Sequence, residues 1–133
     1  MYINNYDDED GMSPIAVATE NGEVERVKAL LEEGAFLGYK DIWGFTLLHS
    51  AAVSGSVELV KLFVERGLDL EAKDEEMRTP LHYACLTGNL ESVSYLLKVG
   101  SLPYPLDDEM QTPGDLAEEN GHKEIVKLFE KDI

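Results

Sequence analysis

Cysteine is almost missing from this chain of 133 residues: Cys85 stands alone. One thiol excludes an intramolecular disulfide and any zinc site built from a cysteine cluster. Basic residues are scarce as well, with 11 Lys and Arg against 27 Asp and Glu, a formal net charge of −16. A field of that sign repels phosphate backbones and anionic lipid, so neither nucleic acid nor a membrane surface is an expected partner. No apolar run approaches the roughly 20 residues needed to span a bilayer. The opening residues, Met1 to Asp10, lack the basic and apolar regions of a secretory signal. Phosphate-cradling glycine patterns are also missing, since neither a G-x-G-x-x-G nor a Walker-type loop occurs. What remains is 44% hydrophobic and 29% charged, the composition of a soluble protein with a core. A cytoplasmic location is expected, with the nucleus as the alternative.

A strict period is what the sequence does have. Ser13-Pro14-Ile15-Ala16, Thr46-Leu47-Leu48-His49, Thr79-Pro80-Leu81-His82 and Thr112-Pro113-Gly114-Asp115 follow one another at 33-residue steps. Gly22, Gly55, Gly88 and Gly121 keep the same step, as do Asp8, Asp41, Asp74 and Asp107, and Val27, Val60, Val93 and Val126. Gly34, Gly67 and Gly100 mark the end of three units. Such self-similarity is the signature of a repeat array. Within each unit, Ser or Thr before the helix caps free N–H groups, and Pro is tolerated at the first helical position. Small residues follow, namely Ala18, Ala51-Ala52 and Ala84-Cys85, and a glycine then ends the first helix. A second helix carries apolar residues at helical spacing: Val24, Val27, Leu30 and Leu31, then Val57, Val60, Phe63 and Val64, then Leu90, Val93, Leu96 and Leu97. The pattern is helix, turn, helix, hairpin, four times over.

These residues resemble the ankyrin repeat family over nearly the whole chain, the third unit, Thr79 to Gly88, most closely. The resemblance implies an all-α solenoid of four helix-turn-helix-hairpin units forming one domain over residues 1–133. Its repeats fall at about 8–40, 41–73, 74–106 and 107–133. The outer two are expected to act as caps, because a repeat buries its apolar face only against neighbours. Asp115, Glu118 and Glu130 supply polar replacements in the fourth unit, and Ala16 and Thr19 depart from the pattern in the first. Met77 and Met110 replace the hairpin glycine kept at Gly11 and Gly44, so two turns must carry backbone strain or change type.

Chemistry has few footholds here. His49 and His82 occupy equivalent places in adjacent repeats. Helices packed about 8–10 Å apart would not let both imidazoles bind one metal. By the resemblance they are structural, joining Thr46 and Thr79 to nearby backbone, with Gly55 and Gly88 closing the helices. His122 reads as a lone surface residue, and Cys85 as a buried, inert thiol without a partner base. No catalytic residue, metal or cofactor is expected. Glu25–Lys28, Glu58–Lys61 and Glu124–Lys127 are spaced as i, i+3 pairs on a solvated face.

The hairpin tips are free to serve a partner. Tips one, three and four are acidic: Asp7 to Asp10, Asp74 to Glu76, and Asp107 to Glu109. Tip two instead reads Asp41-Ile42-Trp43-Gly44-Phe45, with the only tryptophan of the chain. Trp43 and Phe45 are either an exposed anchor or packing for neighbouring hairpins, with Tyr39 or Tyr104. In the family, partners bind the tips and the exposed end of each first helix. Carried onto this sequence, those positions are Glu9, Asp10, Met12, Glu20 and Asn21 in the first unit. The second supplies Ile42, Trp43, Phe45, Val53 and Ser54, and the third Glu75, Glu76, Arg78, Leu86 and Thr87. The fourth supplies Asp108, Glu109, Gln111, Glu119 and Asn120. The expected function is a non-catalytic interaction module, monomeric on its own, that takes a basic and apolar protein surface as inhibitor or adaptor. A regulatory subunit of a larger complex and an acidic mimic of nucleic acid are the rival readings.

Overall fold

Each first helix starts where a hydroxyl meets proline or leucine. Ser13, Thr46, Thr79 and Thr112 are extended N-caps whose oxygens accept an N–H of the first turn. The helices they open are α1 Pro14–Glu20, α3 Leu47–Ser54, α5 Pro80–Thr87 and α7 Pro113–Glu119. The second helices are α2 Val24–Glu32, α4 Val57–Glu65, α6 Leu90–Lys98 and α8 Lys123–Glu130. All eight come from a computed structural model that describes residues 13–130. Among the described residues there is no strand, only an isolated bridge between Lys40 and Thr46. The fold is all-α.

Packing is along the repeat axis and within each pair. First helices stack α1 on α3, α3 on α5 and α5 on α7, while α4, α6 and α8 stack behind them. Ala51, Ala52, Ala84, Cys85 and Ala117 are fully buried, so small side chains let the first helices approach closely. The second helices press Val27, Leu30, Val60, Phe63, Val93, Leu96 and Ile125 against that layer, and one core runs between the two. Leu90, expected on this buried face, is exposed at the first turn of α6. Gly22, Gly55, Gly88 and Gly121 all take positive φ at the turn between helices, a conformation glycine adopts without steric cost.

The hairpins share one turn. Asp41, Asp74 and Asp107 each direct one carboxylate oxygen onto the N–H groups two and four residues ahead, at 2.8–2.9 Å. Asp74 and Asp107 are therefore buried turn-formers rather than solvated tip charges. Gly44 (φ 84°), Met77 (φ 64°) and Met110 (φ 64°) occupy the same left-handed position. The methionines thus keep the turn type and bear the strain.

Three further expectations need correction. Thr19 is fully buried, its hydroxyl donating to the Ile15 carbonyl at 2.7 Å, so it gives the first unit no solvent-facing polar group. Glu58 is met across the repeat boundary by Lys28 at 3.7 Å, while Lys61 lies 5.6 Å from the Tyr95 ring centroid. The pairs Glu25–Lys28 and Glu124–Lys127 do form, at 3.8 and 3.5 Å. His122 is no lone surface group: it is partly buried, and its Nε2 lies 3.2 Å from the Leu86 carbonyl.

Candidate protein-binding surface

The histidines come first, because they fix where the tips stand. His49 Nδ1 accepts the Thr46 backbone N–H at 3.1 Å, which leaves Nε2 as the protonated nitrogen. Nε2–H donates to the Arg78 carbonyl at 2.9 Å. His82 repeats this with Thr79 at 3.1 Å and the Gln111 carbonyl at 3.0 Å. Each imidazole thus closes its own helix cap and holds the hairpin of the next repeat. Burial lowers the pKa of both, against the partial compensation of the carbonyl each one meets. At α7 the same cap uses Asp115, whose carboxylate accepts the Thr112 N–H at 3.0 Å. A carboxylate cannot donate onward, so α7 has no tie of this kind.

Tips are also joined to one another. Glu75 N–H donates to the Trp43 carbonyl at 2.8 Å, and Asp108 N–H to the Glu76 carbonyl at 2.9 Å. Arg78 strengthens the second junction. Its Nε donates to Asp107 at 3.2 Å, its Nη1 lies 4.0 Å from Glu76, and its guanidinium sits 5.7 Å from the Tyr83 ring centroid. Burial alone would raise the pKa of Asp107, but the N–H groups of Gln111 and Glu109 and the Arg78 guanidinium hold it below the usual value. The Arg78 side chain is only 14% exposed, committed to its own fold.

Trp43 and Phe45 part company. Trp43 is 58% exposed and Ile42 79%, both at the tip. Phe45 turns inward, stacking on His49 at 5.0 Å and meeting Tyr83 edge-on at 4.9 Å. The Tyr83 hydroxyl donates to Asp74, and burial followed by that carboxylate pushes its pKa up. Tyr39 is partly buried in the core margin, and the Tyr104 ring lies 6.3 Å from that of Phe129.

The other named positions fall into two groups. Val53, Glu75, Glu76, Thr87, Asp108, Glu109, Glu119 and Asn120 are exposed, as are Glu20 and Asn21. Ser54, Leu86 and Gln111 are half-buried, with Ser54 Oγ donating to the Ala51 carbonyl at 2.7 Å. Glu9, Asp10 and Met12, with tip one, lie outside the described residues. Ile42, Trp43, Glu75, Glu76, Asp108 and Glu109 stand on the hairpins that lead into α3, α5 and α7, and Val53 near the C-terminal end of α3. Cys85 is buried, and burial pushes its pKa up, so the thiol stays protonated. Among the described residues no group of His, Cys, Asp and Glu is placed to hold a metal ion. No helix there is long and apolar enough to cross a membrane.

Two contributors were not foreseen. Asn89 sends Nδ2 to the Ala52 carbonyl at 2.7 Å, one repeat before the equivalent reach of His122 to Leu86. Their shared place, one residue after Gly88 and Gly121, was the available signal. Tyr83 was the other: it stands where Ser50 and Leu116 stand in neighbouring units, an aromatic break in the period.

Comparison with known proteins agrees with this geometry. The family described as "Ankyrin repeats (many copies)" matches residues 14–64 and again residues 48–97. An ankyrin repeat protein of Rickettsia bellii (strain RML369-C) is 50% identical over 38 residues, which is 29% of this chain and 16% of that protein. The match thus spans about a sixth of the relative's length. Paired helices on a 33-residue step, hairpins held by the Thr–His cap and the family match over more than half of the sequence establish that the chain belongs to the ankyrin repeat family.

Proposed function

We propose that this array is a non-catalytic interaction module that docks a basic and apolar protein surface, as inhibitor or adaptor. Ankyrin repeats are in general protein-interaction modules, and the exposed indole of Trp43 is the observation that carries the reading for this chain. A large aromatic is held in water at the tip of a hairpin whose backbone is fixed by Asp41 within the turn and by Glu75 of tip three. Aromatic anchors surrounded by polar groups are the usual form of an interface hot spot. Ile42 and Val53 extend the apolar centre, and Glu75, Glu76, Asp108 and Glu109 supply the acidic rim. A partner suited to this face presents an apolar patch flanked by Lys and Arg, and the chain acts as a monomer before it binds.

The test is an affinity capture with wild type and Trp43→Ala, followed by a titration of the recovered partner. Truncating such an anchor commonly costs at least about 2 kcal/mol, roughly a thirtyfold loss of affinity. Equal affinity for the two proteins would remove Trp43 from the interface. Quenching by neutral acrylamide adds a test without a partner: the indole should emit like an exposed tryptophan, and a blue-shifted, unquenched spectrum would contradict the anchor.

A further inference from the structure

Between tips two and three lies a groove of about 380 Å³. That is near the lower end of small-ligand pockets, roughly 300–1,000 Å³, a size suited to one inserted side chain. Its aromatic lining is Trp43, Phe45 and Tyr83. Its polar lining is Glu20, Asp41, Asp74, Glu75 and Glu76, and among the described residues no basic side chain lines it.

The repeat register shows what such a lining is short of. Arg78 stands one 33-residue step after Phe45, as Asp107 stands one step after Asp74. At the junction of tips three and four the chain supplies its own cation: Arg78 reaches Asp107 at 3.2 Å and approaches Glu76 at 4.0 Å. At the junction of tips two and three, Phe45 stands in the place of that arginine, and Asp74 takes the Tyr83 hydroxyl instead. Of the two carboxylates that Arg78 meets, Asp107 has its counterpart in Asp74, whereas Trp43 stands in the place of Glu76. An indole thus replaces one carboxylate, and the guanidinium is gone. Tyr83 meanwhile carries the Arg78 guanidinium 5.7 Å from its ring centroid, so the fold itself sets a guanidinium against an aromatic at the border of the groove.

We infer that this groove receives one arginine side chain from the docked protein. The inference rests on the docking reading above and names its central contact. A planar, weakly hydrated guanidinium stacks on the exposed Trp43 indole and turns its N–H donors to the carboxylates of Glu75 and Glu76. Lysine offers a compact, strongly hydrated charge with less to stack. A trimethylated lysine has no N–H to give the carboxylates. The hydrogen bond from Glu75 N–H to the Trp43 carbonyl holds the indole wall and the acidic wall in register before anything binds.

Nα-acetyl-L-arginine amide tests the groove without a partner. It is titrated into the full chain while Trp43 emission and backbone amide shifts are followed. Saturable binding is expected with a dissociation constant on the order of 1 mM, as suits so small a ligand. The shifts should centre on residues 43, 45, 75, 76 and 83. The citrulline analogue, neutral and nearly isosteric, should leave the spectra unchanged, and the lysine and trimethyl-lysine analogues should bind more weakly. Trp43→Ala and Glu75→Gln should each weaken arginine binding by at least about fivefold. Both positions are exposed, and an unchanged melting temperature shows that the fold is intact. A citrulline response equal to that of arginine, or arginine binding indifferent to both substitutions, overturns the proposal. Lysine binding as well as arginine overturns the guanidinium assignment. If Trp43→Ala abolishes partner capture while the arginine probe fails, docking through Trp43 stands and the arginine pocket falls.

Discussion

Neutral, buried and doubly bonded, His49 and His82 make the stability of the array sensitive to pH. Each has one nitrogen committed to accepting a backbone N–H and the other to donating to a carbonyl of the next repeat. A proton added at Nδ1 removes the acceptor and places a charge in the core. In the unfolded chain these rings take up a proton near pH 6.5, and in the fold only at lower pH. Between those values the unfolded state binds more protons, so the contribution is complete above about pH 6.5 and is lost as pH falls toward the folded pKa. Asp107 acts in the same sense at lower pH, below its ordinary value of 3.8. Replacing His82 with Ala should therefore cost about 1–3 kcal/mol at pH 7.5, since it leaves the Gln111 carbonyl and the Thr79 N–H without a partner. The loss should shrink as pH drops below 6.5, because the wild type loses the same contribution there. Urea denaturation at pH 7.5 and 5.5 checks both points. An unchanged midpoint at pH 7.5 would refute the structural role of the ring.

At the scale of the hairpin, one turn is built three times with different residues at its left-handed position. Gly44 fits for two reasons: its φ is +84°, and a Cβ there would come within 3.1 Å of the Asp74 Cα. Gly44→Ala should thus destabilise by about 1–2 kcal/mol, from the backbone conformation and from pushing tip three away. Met77→Gly should do the opposite, raising stability by a few tenths to about 1 kcal/mol as the strain at φ 64° is released. Thermal melts of the two variants, compared with wild type, must move in opposite directions. The helices and turns were legible in the sequence because their determinants are local. A Thr or Ser cap, a proline at the first position and a glycine stop each act within a few residues of one another. The junctions were not legible for the opposite reason. Arg78 with Asp107, Lys28 with Glu58, Asn89 with Ala52 and His122 with Leu86 all join residues about 30 or more apart. A repeat taken one unit at a time shows what each unit contains and not what it passes to the next. Asp74 and Asp107 therefore read as tip charge in the sequence, and Trp43 and Phe45 as one feature, although the Trp43 indole stays in water while the Phe45 ring packs on His49 and Tyr83.

Over the whole molecule, the excess of 27 acidic over 11 basic residues acts as a field rather than as a set of contacts. Self-repulsion opposes the compact state, so raising salt should raise the melting temperature, and added chelator should leave it unchanged. The same field draws in a basic partner, and here range separates two kinds of residue. Trp43 acts only in contact, through stacking and the exclusion of water. Asp108 and Glu109 lie on tip four, outside the groove between tips two and three, and act through solvent over about 8–10 Å at ordinary salt. Trp43→Ala should therefore raise the dissociation rate of a bound partner by roughly tenfold or more and leave association little changed. Asp108→Asn with Glu109→Gln should slow association and flatten its dependence on salt, with dissociation nearly constant. Surface plasmon resonance at two salt concentrations resolves both rates. The acidic-mimic reading makes the contrary forecast, in which charge neutralisation dominates affinity and Trp43→Ala is nearly silent. An apolar anchor and a steering field leave opposite kinetic traces because contact energy must be surrendered on the way out, whereas a long-range charge has done its part before contact is made.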